Sequence, residues 1–224
     1  MSFKKNKYII IKNIINKDLA NFNLNYLLVK KQVFETCLKT RYMSPFEKML
    51  GAYEDEKTGQ VLNTFSCYAD IAMETLMLKC QPLIEKATGL KLFPAYSYAR
   101  VYKKGDELKR HKDRFSCEIS STMNLGGDDW PIYLSPYENV GLQEAQGGKK
   151  GITAVSQAKG IKVNLKPGDM LVYKGIEIEH WREKFKKKEC VQVFFHYNDS
   201  KTPGSKENIF DRRPHLGLPS WFKK

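Results

Sequence analysis

The chain has 224 residues, 42% of them hydrophobic, with 12 Tyr and 12 Phe, enough apolar material for the core of one domain spanning residues 1–224. No stretch reaches the ~20 apolar residues of a membrane span, and the apolar run in MSFKKNKYIII is too short for a signal peptide, so a soluble, cytoplasmic protein is expected. The net charge of +13 favours contact with an anionic surface, but the lysines are spread from end to end, and the densest cluster, Lys184 to Lys188, reads as a solvated face. Five cysteines, at 37, 67, 80, 117 and 190, are odd in number and lack any CxxC spacing, which argues against a disulfide framework and against a cysteine zinc site.

In chain order, Tyr8 to Lys12 reads as a short strand. Leu19, Phe22, Tyr26, Val29, Val33 and Cys37 recur every three or four positions and predict an amphipathic helix from Lys17 to about Thr40, with Asn16 as its N-cap. Tyr42 to Thr64, with Pro45, Gly51 and Gly59, reads as an irregular connection. A second helix is expected from Tyr68 to Ala87, with Ile71, Thr75, Leu78 and Pro82 on one side and Met73, Leu76, Met77, Cys80, Leu83 and Ile84 widening the apolar surface. Gly89 stops it, and Pro82 should kink or restart it.

After Gly89 the texture changes to short strands and turns. In Leu90 to Tyr102, alternation places Tyr96, Tyr98, Arg100 and Tyr102 on one face. Arg110 to Asp113 begins an extended piece beyond the KKGDE turn. In Glu118 to Leu125, alternation separates Ile119, Ser121, Met123 and Leu125 from Glu118, Ser120, Thr122 and Asn124. Further strands are expected at Trp130 to Leu134, Ile161 to Leu165, Met170 to Tyr173, Gly175 to Trp181 and Val191 to Tyr197. Ser135 to Lys159 is a long connection of the kind that often serves as a lid. The tail from Asp199 ends in Leu216-Gly-Leu-Pro-Ser-Trp221-Phe222, apolar enough for part of it to pack back. The fold class is therefore α+β: residues 1–89 as mainly helical support, 90–198 as a β sandwich or barrel, and 199–224 as a tail.

The chemistry concentrates in His111-x-Asp113 and His180. On a strand, residues two apart point the same way, so His111 and Asp113 converge. Ile176, Ile178, His180 and Arg182 share a face that passes from apolar to polar, as at a barrel mouth. Two imidazoles and a carboxylate form the facial triad that holds iron(II) and leaves positions open. A lone HxD is weak evidence. His196 and His215 have no carboxylate at ligand spacing and read as structural, as do Trp181 and Glu183.

The pattern YxxGDELxxHxD beginning at Tyr102, followed by a strand, a long connection, PGDMLVY and then His180, closely resembles the 2-oxoglutarate-dependent iron(II) dioxygenases, in particular the prolyl 4-hydroxylase-like group of bacteria and phages. The resemblance covers about residues 90–198. It implies a double-stranded β-helix, a distorted cupin-like jelly roll buttressed by the N-terminal helices. It implies iron(II) held by His111, Asp113 and His180, with 2-oxoglutarate and dioxygen as cosubstrates. It also implies hydroxylation of an unactivated C–H bond with release of succinate and carbon dioxide.

The distal carboxylate of 2-oxoglutarate needs a buried cation. Relatives often place one about ten residues beyond the second histidine, where this chain has Cys190. Arg182 is the first replacement, Lys188 the second and Arg100 the third. Tyr102 by its motif position, and Ser120 and Thr122 from the neighbouring strand, are further candidates for the cosubstrate. The resemblance suggests a prolyl residue of a peptide or protein as substrate, a small molecule being the other option. Oxidative demethylation of nucleic acid on the same fold is not favoured, since no arginine-rich pattern follows His180. A jelly-roll binding module without redox chemistry is the reading from another class.

Overall fold

Period-two alternation sorts the strand side chains of this chain between two environments, one facing helices and one facing a cavity. The computed structural model describes residues 2–44, 47–55, 60–136 and 158–223. The proposed lid therefore lies, from 137 to 157, outside the described residues. In chain order the elements are α1 (Phe3–Asn6), β1 (Tyr8–Ile11), α2 (Lys17–Lys39), β2 (Ala52–Tyr53), β3 (Phe65–Tyr68), α3 (Ile71–Thr88), β4 (Leu92–Lys103), β5 (Leu108–His111), β6 (Ile119–Gly127), β7 (Ile132–Ser135), β8 (Ile161–Val163), β9 (Met170–Lys174), β10 (Glu179–Arg182) and β11 (Glu189–Asp199). The strands form a seven-stranded sheet in the order β1-β9-β6-β11-β4-β3-β2 and a four-stranded sheet in the order β5-β10-β7-β8. All the pairings are antiparallel. This is the double-stranded β-helix, a distorted jelly roll of the α+β class.

On the large sheet, Ala99, Val101, Ile119, Met123, Val172, Val193 and Phe195 face α2 and α3 and form the main core with Leu27, Met77 and Ile84. The alternate residues of the same strands face the small sheet. Two smaller apolar clusters lie there, one around Tyr102, Trp130 and Phe194 and one around Leu134, Leu171, Tyr173 and Ile178.

Several expectations shift in place. Asn16 does cap α2, accepting from the Leu19 amide at 2.9 Å. The buried side of α2, however, is Ala20, Asn23, Leu27 and Phe34, while Phe22 is 65% exposed and Val29 56%. Of the predicted stripe Leu19 and Tyr26 do pack against the core, but the buried face is turned toward Ala20 and Leu27, and Leu24 settles on Gly126, whose missing side chain opens the space. Residues 65–68 are a strand paired with β4, so α3 begins at Ile71, capped by Asp70, whose carboxylate accepts from the Met73 amide at 3.0 Å. Residues 1–89 thus supply three strands besides their helices. Helix α3 runs through Pro82 unbroken. Pro82 lies on the solvent side, where water can satisfy the carbonyl it leaves free. Gly89 ends the helix at φ 74°.

The segment expected as a strand from Gly175 is a turn up to Ile178, and only Glu179–Arg182 pairs. The tail does return to the body, but mainly through polar anchors. Arg213 pairs with Glu74 at 2.7 Å and Asp211 with Arg114 at 2.9 Å, while Trp221 and Phe222 stay about half exposed. Phe210, Asp211 and Arg212 are all left-handed, at φ 55°, 56° and 66°, a conformation that costs non-glycine residues about 1–2 kcal/mol each. No helix among the described residues is long and apolar enough to cross a membrane.

Candidate metal centre

Strands β5 and β10 pair antiparallel with His111 directly opposite His180, which brings the imidazoles to 4.1 Å between ring centroids. Asp113, just past the end of β5, is placed by its own amide, which donates to the Gly175 carbonyl at 2.8 Å. Its Oδ1 lies 3.7 Å from His111 Nε2 and 3.6 Å from His180 Nε2. One ligand atom from each residue falls within 4.8 Å of the others, a spacing that could hold a metal ion.

The orientation of each donor is fixed from behind. His111 Nδ1 lies 2.7 Å from the Lys109 carbonyl and His180 Nδ1 3.0 Å from the Ile178 carbonyl. A carbonyl only accepts, so Nδ1 carries a proton in each ring, and in the neutral form the Nε2 lone pair is the one free to face the centre. Asp113 Oδ2 is engaged by the Ser120 hydroxyl at 2.6 Å, leaving Oδ1 for a metal. Burial pushes the His111 imidazole down to about 3, with help from neighbouring His180. Burial alone would raise Asp113, but His180 and His111 outweigh it and hold the carboxyl below the usual range. A neutral His111 and an ionised carboxylate are the protonation states that metal binding requires.

The other sequence candidates fall into distinct settings. Arg182 is 1% exposed. Its Nη1 donates to the Trp130 carbonyl and its Nη2 to Thr122 Oγ1 at 3.3 Å, while its Nε has no hydrogen-bond partner among the described residues. Among the described residues no carboxylate pairs with this guanidinium, and burial lowers its affinity for the proton. Its electrostatic neighbours are the Cys190 thiol and the hydroxyls of Tyr102 and Tyr173. Cys190 sits opposite Tyr102 in the β11–β4 register. Arg182, on β10, thus lies beside position 190.

Arg100, by contrast, is neutralised by Glu54 at 2.7 Å and also reaches the Tyr102 hydroxyl at 3.4 Å. Lys188 lies exposed on the turn before β11. Tyr102 is fully buried, edge-on to the Trp130 ring. Thr122 links Arg182 to Gln192, donating to Gln192 Oε1 at 3.1 Å. Ser120 faces Asp113, so its position is behind the triad rather than beside a cosubstrate.

Sequence reasoning passed over three residues here. His196 lines the cavity instead of serving only the core, with its Nδ1 3.1 Å from Ser120 Oγ, and burial pushes it down to about 4. Its place on the inward face with Gln192 and Phe194 was the available signal. Gly175 is hemmed in so closely that a β-carbon there would overlap the Cys117 carbonyl, Asp113 Oδ2 and Ser120 Oγ. Arg114 lines the cavity and stacks over Tyr96 at 4.9 Å. Tyr68, Tyr96, Tyr98 and Phe194 add aromatic surface to the wall, beside aliphatic Leu108 and Ile132.

No family model matches the chain, and no curated protein matches its sequence. Solved structures do match its fold. A prolyl-4-hydroxylase of Pseudomonas putida superposes with a TM-score of 0.53 at 13% identity, covering 88% of this chain and 95% of that one. A prolyl hydroxylase of Trichoplax adhaerens, in complex with a hypoxia inducible factor peptide fragment, gives 0.59 at 13% identity over 93% and 89%. The epimerase SnoN of nogalamycin biosynthesis, in complex with Fe3+, alpha ketoglutarate and nogalamycin RO, gives 0.61 at 11% identity over 88% and 81%. At such identities the likeness establishes the shared double-stranded β-helix.

Proposed function

We propose that this chain is an iron(II)- and 2-oxoglutarate-dependent dioxygenase that hydroxylates an unactivated C–H bond. The convergence of His111, Asp113 and His180 within one ligand sphere, each donor aimed from behind, carries this reading. The donor set suits iron(II): two neutral imidazoles and one carboxylate, with positions left for a bidentate cosubstrate and dioxygen. When bound, the metal with 2-oxoglutarate supplies the oxidising chemistry, at the expense of decarboxylation to succinate.

The chain's own groups bind, orient and shield. His111, Asp113 and His180 hold the metal. Arg182 receives the distal carboxylate of 2-oxoglutarate: a guanidinium this deeply buried without an acid is costly alone, and a carboxylate ligand removes the cost. Tyr102 and Thr122 flank it with hydroxyls and fix the approach. Tyr96, Tyr98 and Phe194 keep water from the reacting carbon and offer an apolar ring a stacking surface. A prolyl residue of a peptide or protein fits such a wall and is the substrate we propose.

Mixing the protein anaerobically with iron(II) and 2-oxoglutarate is expected to give a weak visible charge-transfer band that His111→Ala abolishes. A wild-type protein saturated with iron and lacking the band would sink the oxygenase reading and leave a binding module. With the band present, succinate release stimulated by a proline-rich peptide supports the prolyl substrate. Stimulation by a methylated oligonucleotide instead would replace it.

A further inference from the structure

Residues 113–120 form a short stretch, a loop and the first two residues of β6, that leaves the metal site and returns to it. Asp113 starts it, and Ser120 ends it by engaging the Asp113 carboxylate at 2.6 Å. Between them, the loop is held by the Gly175 amide on the Glu118 carbonyl at 2.8 Å, by the Tyr96 hydroxyl 3.1 Å from the Cys117 thiol, and by several groups of β11 and the C-terminal segment. Asp211, 2% exposed, accepts two parallel bonds from Arg114, both at 2.9 Å, and one from the Ser116 hydroxyl at 2.7 Å. Its Oδ2 also takes the Tyr68 hydroxyl at 2.7 Å and the Lys223 ammonium at 2.6 Å. Asn198 donates to the Phe115 carbonyl at 2.8 Å, and Thr202 to Glu118 at 2.6 Å.

Five bonds from four side chains on one buried carboxylate are a costly arrangement to assemble, and the backbone that presents it is left-handed at three successive residues. The residues so fixed lead back to the triad. Arg114 follows Asp113 in the chain, and its carbonyl accepts from the Cys117 amide at 2.8 Å. The Cys117 carbonyl is 2.9 Å from Ser120 Oγ. The position of Ser120 Oγ decides which Asp113 oxygen is tied back and which faces the metal.

We propose that Asp211 is a positioning residue of the metal centre, clamping the 113–120 stretch through Arg114 and Ser116 so that Asp113 presents Oδ1 in a fixed direction. This rests on the metal-site reading above. The second tail anchor provides the contrast: Glu74, buried and paired with Arg213 at 2.7 Å, holds the same segment from α3 without touching the loop.

The test titrates Co(II), a spectroscopic stand-in for iron, into the full-length protein without 2-oxoglutarate. Binding is followed by the d–d absorption, which reports ligand geometry, alongside the melting temperature of the metal-free form. Asp211→Asn, close in shape but uncharged, is expected to weaken Co(II) about tenfold and to alter the band. Glu74→Gln is expected to lower the melting temperature yet leave Co(II) affinity within about twofold. Arg114→Lys keeps the charge but loses the bidentate geometry; it should move Co(II) in the same direction by less, and carries the test should Asp211→Asn not fold.

Unchanged affinity and spectrum in Asp211→Asn or, where that does not fold, in Arg114→Lys, would make Asp211 a structural anchor only. Equal weakening by Glu74→Gln would mean that any loosening of the tail suffices. Either result overturns the proposal while leaving the metal centre standing. Failure of the wild-type protein to bind Co(II) would remove both.

Discussion

The triad and the buried Arg182 are built on opposite terms. At the triad every donor is oriented from within the chain: His111 by the Lys109 carbonyl, His180 by the Ile178 carbonyl, Asp113 by Ser120 and by the Gly175 carbonyl. At Arg182 the described residues supply burial and two neutral acceptors but no counter-charge, and among them Nε finds no partner. Protein interiors rarely leave a charge in that state. The triad is preorganised, whereas Arg182 keeps a buried charge that meets only neutral groups among the described residues.

The contrast can be attacked at either end. The largest effect is expected from Gly175→Ala. A β-carbon there overlaps Asp113 Oδ2, Ser120 Oγ and the Cys117 carbonyl at once, so the carboxylate must turn. Overpacking of this kind costs about 1–3 kcal/mol, and misplacing a ligand lowers metal affinity by about 10–100-fold. Co(II) titration with a melting curve reads both, and wild-type affinity would mean that the triad is not held rigidly.

The next effect belongs to Arg182→Met. It should raise the 2-oxoglutarate concentration needed for half-maximal succinate release by about tenfold or more, with the iron requirement within about twofold. The metal-free variant should melt no lower than the wild type, because removing a buried, acid-free charge relieves desolvation. It should also lose the stabilisation that 2-oxoglutarate gives the wild type. An unchanged 2-oxoglutarate dependence would move the role to another cation.

The smallest effect is on pH dependence. His111 and His196 are pushed down by burial to about 3 and about 4, below the ~6.5 of an unfolded chain. The folded form then binds fewer protons than the unfolded form between these values. Stability of the metal-free protein should be full above pH ~6.5 and fall as pH drops toward 4. Melting curves between pH 7.5 and 5 check the slope, which should flatten in His196→Gln if that residue contributes.

The two histidines were legible in the sequence because both lie on strands, and β5 and β10 pair them directly; Asp113 lies past the end of β5, and its amide bond to Gly175, not strand alternation, brings it to them. The strand faces of β4 and β6 were readable from period-two alternation. The buried side of α2 was not, since Phe22 and Val29 make the stronger apolar stripe but Ala20 and Leu27 are the residues that meet the sheet. Ser120 was placed on the inward face correctly, but spacing cannot tell whether a hydroxyl there turns to a carboxylate or a cosubstrate. The Asp211–Arg114 pair joins residues 97 positions apart, and nothing local in the tail announces it.

Strand β1 has a consequence of a different kind. Tyr8 to Ile11 pairs along β9 from Met170 to Tyr173 and forms one border of the large sheet. Stripped of that cover, the MLVY segment would present unpaired amides and carbonyls on an apolar ribbon, which invites chain-to-chain β-sheet growth. The first dozen residues, far in sequence from the triad, thus act as a guard against aggregation. Trimming them for expression would show up first in solubility, before any change in catalysis.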